Sequence, residues 1–262
     1  MNVLFLGDIV ADSGVQTVEK NLCMLKQTYN VDFTIANAEN SAAGKGITKA
    51  IYDLLIECGV DVVTLGNHAF SKKDIIPKLN YCPFLVRPVN AEPMHLGHTF
   101  VIRECKGLKI AVINILGNAF MNGTAGDPIL AASRTLNRLK ADIIIIDFHA
   151  EATSEKMVFF EYFKHNCTAV IGTHTHVQTA DEKVEEGCAF ICDAGMCGPY
   201  DSILGRSKSE IMRHMIHGCS TKYSAASGPS VICGVIISID ETTCRAQSIK
   251  RIQIRPRNDY LG

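Results

Sequence analysis

Short runs of consecutive apolar residues, each closed by a small or polar residue, recur through most of the chain. They are Val3 to Leu6, Phe33 to Ala36, Val60 to Leu65, Phe84 to Val86, Lys109 to Ile115, Ile143 to Phe148, Ala169 to Ile171 and Phe190 to Ile191. Unbroken runs of this length predict strands buried on both faces. Between them the apolar positions fall at helical spacing. Val15 to Tyr29 carries Val15, Val18, Leu22 and Leu25, and Thr48 to Cys58 carries Ile51, Leu54, Leu55 and Cys58 behind Thr48 as N-cap. Lys72 to Leu79, Ser133 to Lys140, Ser154 to His165 and Lys208 to His217 read as further helices. Strands alternating with helices predict α/β layers. Val231 to Ile239 and Gln247 to Ile254 flank a polar turn and predict an antiparallel hairpin, so the sheet should be mixed. No repeat, low-complexity stretch or linker interrupts the pattern, which predicts a single domain over 1–262.

Composition narrows the class. A chain of 262 residues, 47% hydrophobic and 20% charged, is ordinary globular protein, long enough to bury a core without disulfides. Its 26 basic and 27 acidic residues give a net charge of −1. That balance argues against stable nucleic-acid binding, which rests on neutralising many phosphates. Eleven cysteines cannot all pair internally, and none forms a CxxC motif. They predict a reducing compartment, with the thiols as small buried hydrophobes. No apolar run is long enough for a membrane span. The first residues lack a basic n-region and Asp8 interrupts them, so no signal peptide is expected. The expected location is the cytoplasm, with homo-oligomer formation left open.

The chemistry gathers at the ends of the apolar runs. Asp8 follows the first, Glu39 and Asn40 the second, and Asn67 and His68 the third. His149 follows Asp147-Phe148, and His174 and His176 follow Val170-Ile171. Ligands of open α/β sheets bind outside the carboxyl ends of strands, so these residues should meet at one edge. Carboxylate, amide oxygen and imidazole together suit iron, manganese or zinc, and the absence of cysteine argues against structural zinc. Singly, each residue has a structural alternative. Asp8 could cap a helix, Glu39 and Asn67 could be turn residues, and His68 and His149 could be buried hydrogen-bonded histidines. Jointly they exceed what one catalytic metal needs and predict two metals, with Glu39 able to bridge. His174 and His176, two apart on extended backbone, would face one side.

Weaker signals remain. Gly44-Lys45-Gly46 lacks the P-loop spacing and reads either as a flexible loop or as a substrate-facing loop with a mobile lysine. Gly195 to Asp201 either walls the site or is only a loop, and Cys197 lies within it. Asp147 and Glu151 flank His149, and each either orients a histidine or is a solvated residue. His95, His98, His165, His214 and His217 read as surface residues.

Taken in order, Gly7-Asp8, Asn37-Ala38-Glu39-Asn40, Gly66-Asn67-His68, Asp147 to Lys156 and Gly172 to Asp181 resemble the calcineurin-like metallophosphoesterase superfamily. The long blocks around His149 and His174, with Gly198 to Gly205, resemble its bacterial YmdB-like branch in particular, over essentially the whole chain. The sequence departs from the usual superfamily pattern where Asp8 has no histidine two residues on, and where Glu39 replaces a bridging aspartate. The branch shares both departures. The resemblance implies a mixed two-sheet β-sandwich flanked by helices in αββα layers. It implies Asp8, Glu39, Asn40 and His176 on one metal and Glu39, Asn67, His149 and His174 on the other. His68 would be the general acid. The implied metals are iron, with manganese as substitute, and the implied activity is phosphodiesterase action on small-molecule cyclic nucleotides, 2′,3′ or 3′,5′.

In that reading a hydroxide bridging the metals attacks phosphorus in line, and His68 protonates the leaving alkoxide. A phosphomonoesterase or nuclease on the same site is the close alternative. A metal-bound module that senses a nucleotide with little turnover is the alternative from another class.

Overall fold

The computed structural model of the protein describes residues 1–93, 95–121, 126–220, 222 and 224–256. In chain order its elements begin with β1 (Asn2–Leu6), β2 (Asp8–Ile9), α1 (Ala11–Thr28), β3 (Phe33–Asn37), α2 (Lys49–Glu57) and β4 (Val62–Thr64). A 3₁₀ helix (Ile76–Tyr81), β5 (Leu85–Val86), β6 (Phe100–Cys105), β7 (Leu108–Leu116), α3 (Pro128–Leu136), β8 (Ile143–His149) and α4 (Thr153–Phe163) follow. The chain continues through β9 (Ala169–Thr173), β10 (Lys183–Glu185), β11 (Cys188–Ile191), β12 (Met196–Pro199), α5 (Lys208–His217), β13 (Ser230–Ile239) and β14 (Ala246–Ile254).

The strands form two mixed sheets. One runs β2-β12-β13-β1-β3-β4-β5, with β14 also on β13, and the other runs β10-β11-β9-β8-β7-β6. Strands β1, β3, β4 and β5 are mutually parallel, as are β7, β8, β9 and β11. The expected hairpin closes the first sheet, with β13 antiparallel to both β1 and β14.

Alternation within the apolar runs explains the layers. Val3 and Phe5 point between the sheets, where they join Phe33, Ile35, Ile143, Ile145 and Ile171. Leu4 and Leu6 point the other way, onto the apolar stripe of α1 formed by Val15, Val18, Leu22 and Leu25. On the far side, Phe159, Phe160 and Phe163 of α4 pack on Ile146, Phe148 and Phe190. Three apolar cores separating four layers are the expected helix–sheet–sheet–helix sandwich.

Several boundaries differ from those read from the pattern. Thr48 does cap α2, its hydroxyl accepting from Ile51 N at 3.3 Å. Helix α3 starts well before Ser133, because Asp127 accepts from Ile129 N and Leu130 N ahead of Pro128. Lys72 to Leu79 yields only the short 3₁₀ turn. Strand β6 has no counterpart in the predicted set because its side chains alternate between buried and wet instead of forming an apolar run. All eleven cysteines are free. Among the described residues no helix is long and apolar enough to cross a membrane.

Candidate metal centre

The carboxyl ends of the two parallel strand sets open on one place, and every site residue named from the sequence stands there or beside it. Asp8 begins β2, Glu39 and Asn40 follow β3, Asn67 and His68 follow β4, His149 ends β8, and His174 and His176 follow β9. Asp8, Glu39, Asn40 and His149 are buried; Asn67, His68, His174 and His176 are partly open.

His149 is the centre of the arrangement. Its Nε2 lies 3.0 Å from Asn67 Oδ1, 3.1 Å from Glu39 Oε1 and 3.0 Å from His174 Nδ1. Glu39, His149 and His174 can each direct a ligand atom to one ion within a 4.8 Å spread. The second group adjoins it through Glu39. Asn40 Nδ2 lies 3.1 Å from Glu39 Oε1 and 3.1 Å from His176 Nε2, and Asp8 Oδ1 lies 3.8 Å from His176 Nε2.

The hydrogen bonds on the far sides of the rings fix which nitrogen faces inward. Thr173 Oγ1 donates to Asp147 Oδ1 at 2.6 Å, so its lone pair accepts from His149 Nδ1–H at 2.8 Å. Glu151 Oε2 accepts from His174 Nε2–H at 3.1 Å. The carbonyl of Leu204 accepts from His176 Nδ1–H at 3.1 Å. Nε2, Nδ1 and Nε2 are thereby turned toward the cluster, the outer-partner arrangement characteristic of metal-binding histidines. Asp147 and Glu151 thus both orient histidines. Asp147 acts on His149 through Thr173, and Glu151 acts on His174 rather than on its neighbour His149.

Three further observations fit cations here. Asp8 Oδ1 is buried without a hydrogen-bond partner, although Oδ2 accepts from His174 N at 3.0 Å. A methyl group added at Gly66 would lie 2.2 Å from Glu39 Oε2 and 2.4 Å from His149 Nε2, so the chain leaves open a space among the donors that only glycine permits. The electrostatics point the same way. Burial opposes charging of His149, but the Glu39 carboxylate, helped by Asp8 and Asp147, outweighs it and lifts the ring to about 9. Burial, joined by the charge on His149, drives His174 down to about 3. Glu39 stays ionised despite burial, lowered to about 2 by His149 and His68. A positive charge is thus demanded at the spot where the acceptors converge, and His174 keeps a free lone pair facing it.

The loop from Thr173 to His176 is not extended strand. His174 and His176 have φ of 106° and 65°, in the left-handed region, so their common direction comes from strained backbone rather than from strand alternation. Asp193 holds that strain. Its Oδ2 accepts from Thr175 N at 2.9 Å, Thr175 Oγ1 at 2.8 Å and Lys156 Nζ at 3.0 Å, and the Lys156–Asp193 pair is fully buried. Sequence reading missed Thr173, Lys156, Asp193 and Leu204. The alternating threonines of Gly172-Thr173-His174-Thr175-His176 were the one visible hint.

His68 sits between the cluster and open space. Its backbone N–H donates to Glu39 Oε2 at 2.9 Å, and Asn67 Nδ2 lies 3.5 Å from its Nδ1. Burial lowers its pKa, and the charges of Lys45, His149 and Arg206 work the same way against Glu39. Lys45 lines the cavity beside His68 and His176, so its loop faces the site. Gly195 to Asp201 does not wall the cavity: Met196–Pro199 is the strand β12, and Cys197 is fully buried with Sγ donating to the Cys233 carbonyl. That wall is built by Ile203 to Arg206 instead. Asp8 does not cap α1, whose N-cap is Val10. Of the histidines read as surface residues, His98 is half-buried and the other four are exposed.

The model of the family described as YmdB-like protein matches residues 4–252. Over 257 residues the chain is 41% identical to the 2′,3′-cyclic-nucleotide 2′-phosphodiesterase of Bacillus subtilis (strain 168), covering 97% of each protein. A solved structure of a novel phosphatase from Mycoplasma pneumoniae superposes with a TM-score of 0.93 at 32% identity, over 97% of this chain and 93% of that one. A hypothetical protein from Thermus thermophilus gives a TM-score of 0.91 at 35% identity, over 98% and 100%.

Proposed function

The chain belongs to the YmdB-like protein family, and from that premise we propose that it is a two-metal phosphodiesterase that opens cyclic nucleotides, 2′,3′-cyclic nucleotides foremost and 3′,5′-cyclic nucleotides as the second class. The observation that carries the reading is the set of three histidines whose outer nitrogens are each occupied by an acceptor, leaving the inner ones of His149 and His174 beside Glu39 and Asn67 and that of His176 beside Asn40 and Asp8. Glu39, Asn67, His149 and His174 would hold one ion, and Asp8, Glu39, Asn40 and His176 the other. Asn40 would ligate through Oδ1, which a half-turn of its amide would bring to the position Nδ2 holds. Iron suits the nitrogen–oxygen donor set, with manganese as substitute. Bound there, the two ions would supply Lewis acidity toward the phosphate oxygens and acidify water near neutral pH.

The remaining work falls to side chains. Asn67 turns Oδ1 to the cluster and Nδ2 toward His68 Nδ1, so that His68, reacting as an imidazolium, gives up its Nε2 proton and is left as a neutral ring whose Nδ1 lies beside the Asn67 amide. That proton goes to the leaving alkoxide, a contribution of about 10²–10⁴-fold. Metal analysis of the purified protein, with a screen of 2′,3′- and 3′,5′-cyclic nucleotides, tests the reading. Two ions per chain and turnover of a cyclic nucleotide are expected. Metal-replete protein that hydrolyses neither class nor a bis-aryl phosphodiester is instead a nucleotide-sensing module. His68→Ala should keep metal and lose far more activity on cyclic nucleotides than on the aryl diester; equal losses would sink the acid role. The shared inter-sheet core supports reading 1–262 as one domain, and the free thiols support a cytoplasmic location.

A further inference from the structure

Two cavities flank the cluster and meet at it. One, of about 290 Å³, is lined by Lys45 with Ala43, Gly44, Gly205 and Ser224. The other, of about 400 Å³, is lined by Val177, Ile203, Leu204, Ile211 and Met215. Asn40, His68, His176, Leu204 and Arg206 border both, so the metal-facing atoms lie at the junction. Each lobe is at or near the size of small-molecule sites, about 300–1,000 Å³.

The lobes differ in chemistry. In the larger, Val177, Leu204 and Met215 are 58%, 47% and 78% exposed, a wet apolar wall that a flat nucleobase would cover. The smaller has the lesser apolar wall, made by Val10, Ala43, Leu204 and Ala225, and shares Arg206 with the larger but adds the cation Lys45. The loop bearing Lys45 is tied to the cluster. Gly46 N donates to the Glu39 carbonyl at 2.5 Å, Ala42 N donates to the Gly46 carbonyl at 2.8 Å, and Ser41 Oγ donates to the Ala38 carbonyl at 2.8 Å. Ala43, Gly44 and Gly46 all take positive φ, the turn that presents Lys45 outward.

A ribonucleoside 2′,3′-cyclic phosphate diverges in the same way. Its base leaves the ribose beside C2′ and its 5′ carbon leaves beside C3′, so the two extend to opposite sides of the cyclic phosphate. Building on the phosphodiesterase reading above, we propose that this site is made for 2′,3′-cyclic phosphates whose ribose also carries a 5′-phosphoryl group, the base lying on the Val177–Met215 wall and the 5′-phosphoryl on Lys45. That group can belong to a 5′-phosphorylated mononucleotide or to the internucleotide phosphate at the end of an oligoribonucleotide. The reactions that supply such substrates are the cleavages of RNA that leave cyclic phosphate ends.

The test compares kcat/KM of the metal-loaded protein for a nucleoside 2′,3′-cyclic phosphate, its 5′-phosphorylated counterpart and a dinucleotide with the same cyclic end. A 5′-phosphoryl advantage of roughly tenfold is expected, the size of one hydrogen bond to a charged group, and it should shrink with salt. Lys45→Ala should collapse the ratio toward one and Lys45→Arg should preserve it. An advantage confined to the mononucleotide assigns free nucleotides as substrates, and one shared by the dinucleotide assigns RNA ends. Independently of turnover, chelator-treated protein should bind a nucleoside 3′,5′-bisphosphate more tightly than the 3′-monophosphate in calorimetry, a preference lost in Lys45→Ala. Equal kcat/KM for the substrates with and without the 5′-phosphoryl group, or a ratio unmoved by Lys45→Ala, overturns the proposal while leaving the phosphodiesterase reading intact. Failure to turn over any of the three overturns that reading instead.

Discussion

Thr173→Val is the sharpest probe of the centre, because it changes no ligand and almost no shape. Thr173 Oγ1 lies 2.8 Å from His149 Nδ1 and 2.6 Å from Asp147 Oδ1. Valine deprives two buried groups of a partner. Asp147 keeps Thr64 Oγ1 at 2.5 Å and Asn37 Nδ2 at 2.9 Å, so its loss is partial. His149 Nδ1–H loses its acceptor, and a buried unsatisfied donor costs about 1–3 kcal/mol. In the metal-free protein, where the ring carries both protons, it escapes that cost by giving up the Nδ1 proton and keeping the one on Nε2, the nitrogen 3.1 Å from Glu39. A metal must then displace it. Removing an outer partner of a metal-bound histidine weakens metal binding about 10–100-fold. That equals about 1.4–2.7 kcal/mol, the same size as the hydrogen-bond cost. The assay is calorimetric titration of Mn²⁺ into chelator-treated protein, with Thr173→Ser as the variant that keeps the hydroxyl. Loss in the valine variant and recovery in the serine variant are expected. Wild-type affinity in Thr173→Val would refute the argument that this hydroxyl sets the inward nitrogen.

Gly66→Ala should abolish metal binding while leaving far-UV circular dichroism native, since its methyl would lie 2.2 Å from Glu39 Oε2; stoichiometric metal in that variant, measured by elemental analysis, would remove the cluster as the metal's place. Lys156→Met strips the cation from buried Asp193 but leaves it the N–H groups of Thr175 and Gly195 and the Thr175 hydroxyl. The expected cost is therefore near the low end of the range for a broken buried pair, about 3 kcal/mol. At roughly 2–4 °C per kcal/mol for a chain of this size, thermal unfolding should drop by roughly 6–12 °C; a shift of a degree or less contradicts the pair's role. Asp32 is held below the ordinary aspartate range: partial burial opposes this, and Lys106 and Asn2 N outweigh it. A depressed carboxyl contributes stability above its unfolded pKa of about 3.9 and loses it as pH falls through the lower folded value. Asp32→Asn should thus be less stable than wild type at neutral pH and converge with it in acid; a constant difference across that window tells against the linkage.

Where the pattern carried information, the fold followed from it. Apolar runs such as Ile143 to Phe148 are buried on both faces and so need no alternation to reveal them. Residues at their ends are drawn together because parallel strands finish at one edge. The alternating strand β6 gave no such run, and the short strands β2 and β12 arise from pairings across the fold, Met196 and Cys197 with Asp8 and Ile9, and Gly198 and Pro199 with Val231 and Ser230. The clustered residues were legible because carboxylates, amides and imidazoles recur at the ends of the apolar runs. Their outer partners were not, since a threonine, an exposed glutamate and a leucine carbonyl have no common signature. The Lys156–Asp193 pair was equally silent: 37 residues separate its members, and only folding makes them neighbours.

The cluster is also a joint between the sheets, and this explains why so much charge is tolerated there. Asp147 on β8 accepts from Thr64 on β4 and Asn37 on β3, and Asp8 in the first sheet accepts from the His174 backbone after β9 in the second. Polar contacts thus replace the apolar inter-sheet core at this edge. The cost is three carboxylates, Asp8, Glu39 and Asp147, with almost no exposure. Burial, joined by the charges of Asp193 and Glu39, raises Asp8 against the pull of His176 and His149, and burial pushes Asp147 up to about 6 despite its three donors. A lone protonated His149 cannot balance all three. Isolated buried charges are not tolerated without partners, and the unpartnered Asp8 Oδ1 shows where compensation is incomplete. Cations at this edge would satisfy that oxygen, take the place of the His149 proton and neutralise the joint together. Metal loading and sheet-to-sheet stability would then be one linked equilibrium, in which the ions of the proposed chemistry would also hold closed the edge at which it takes place.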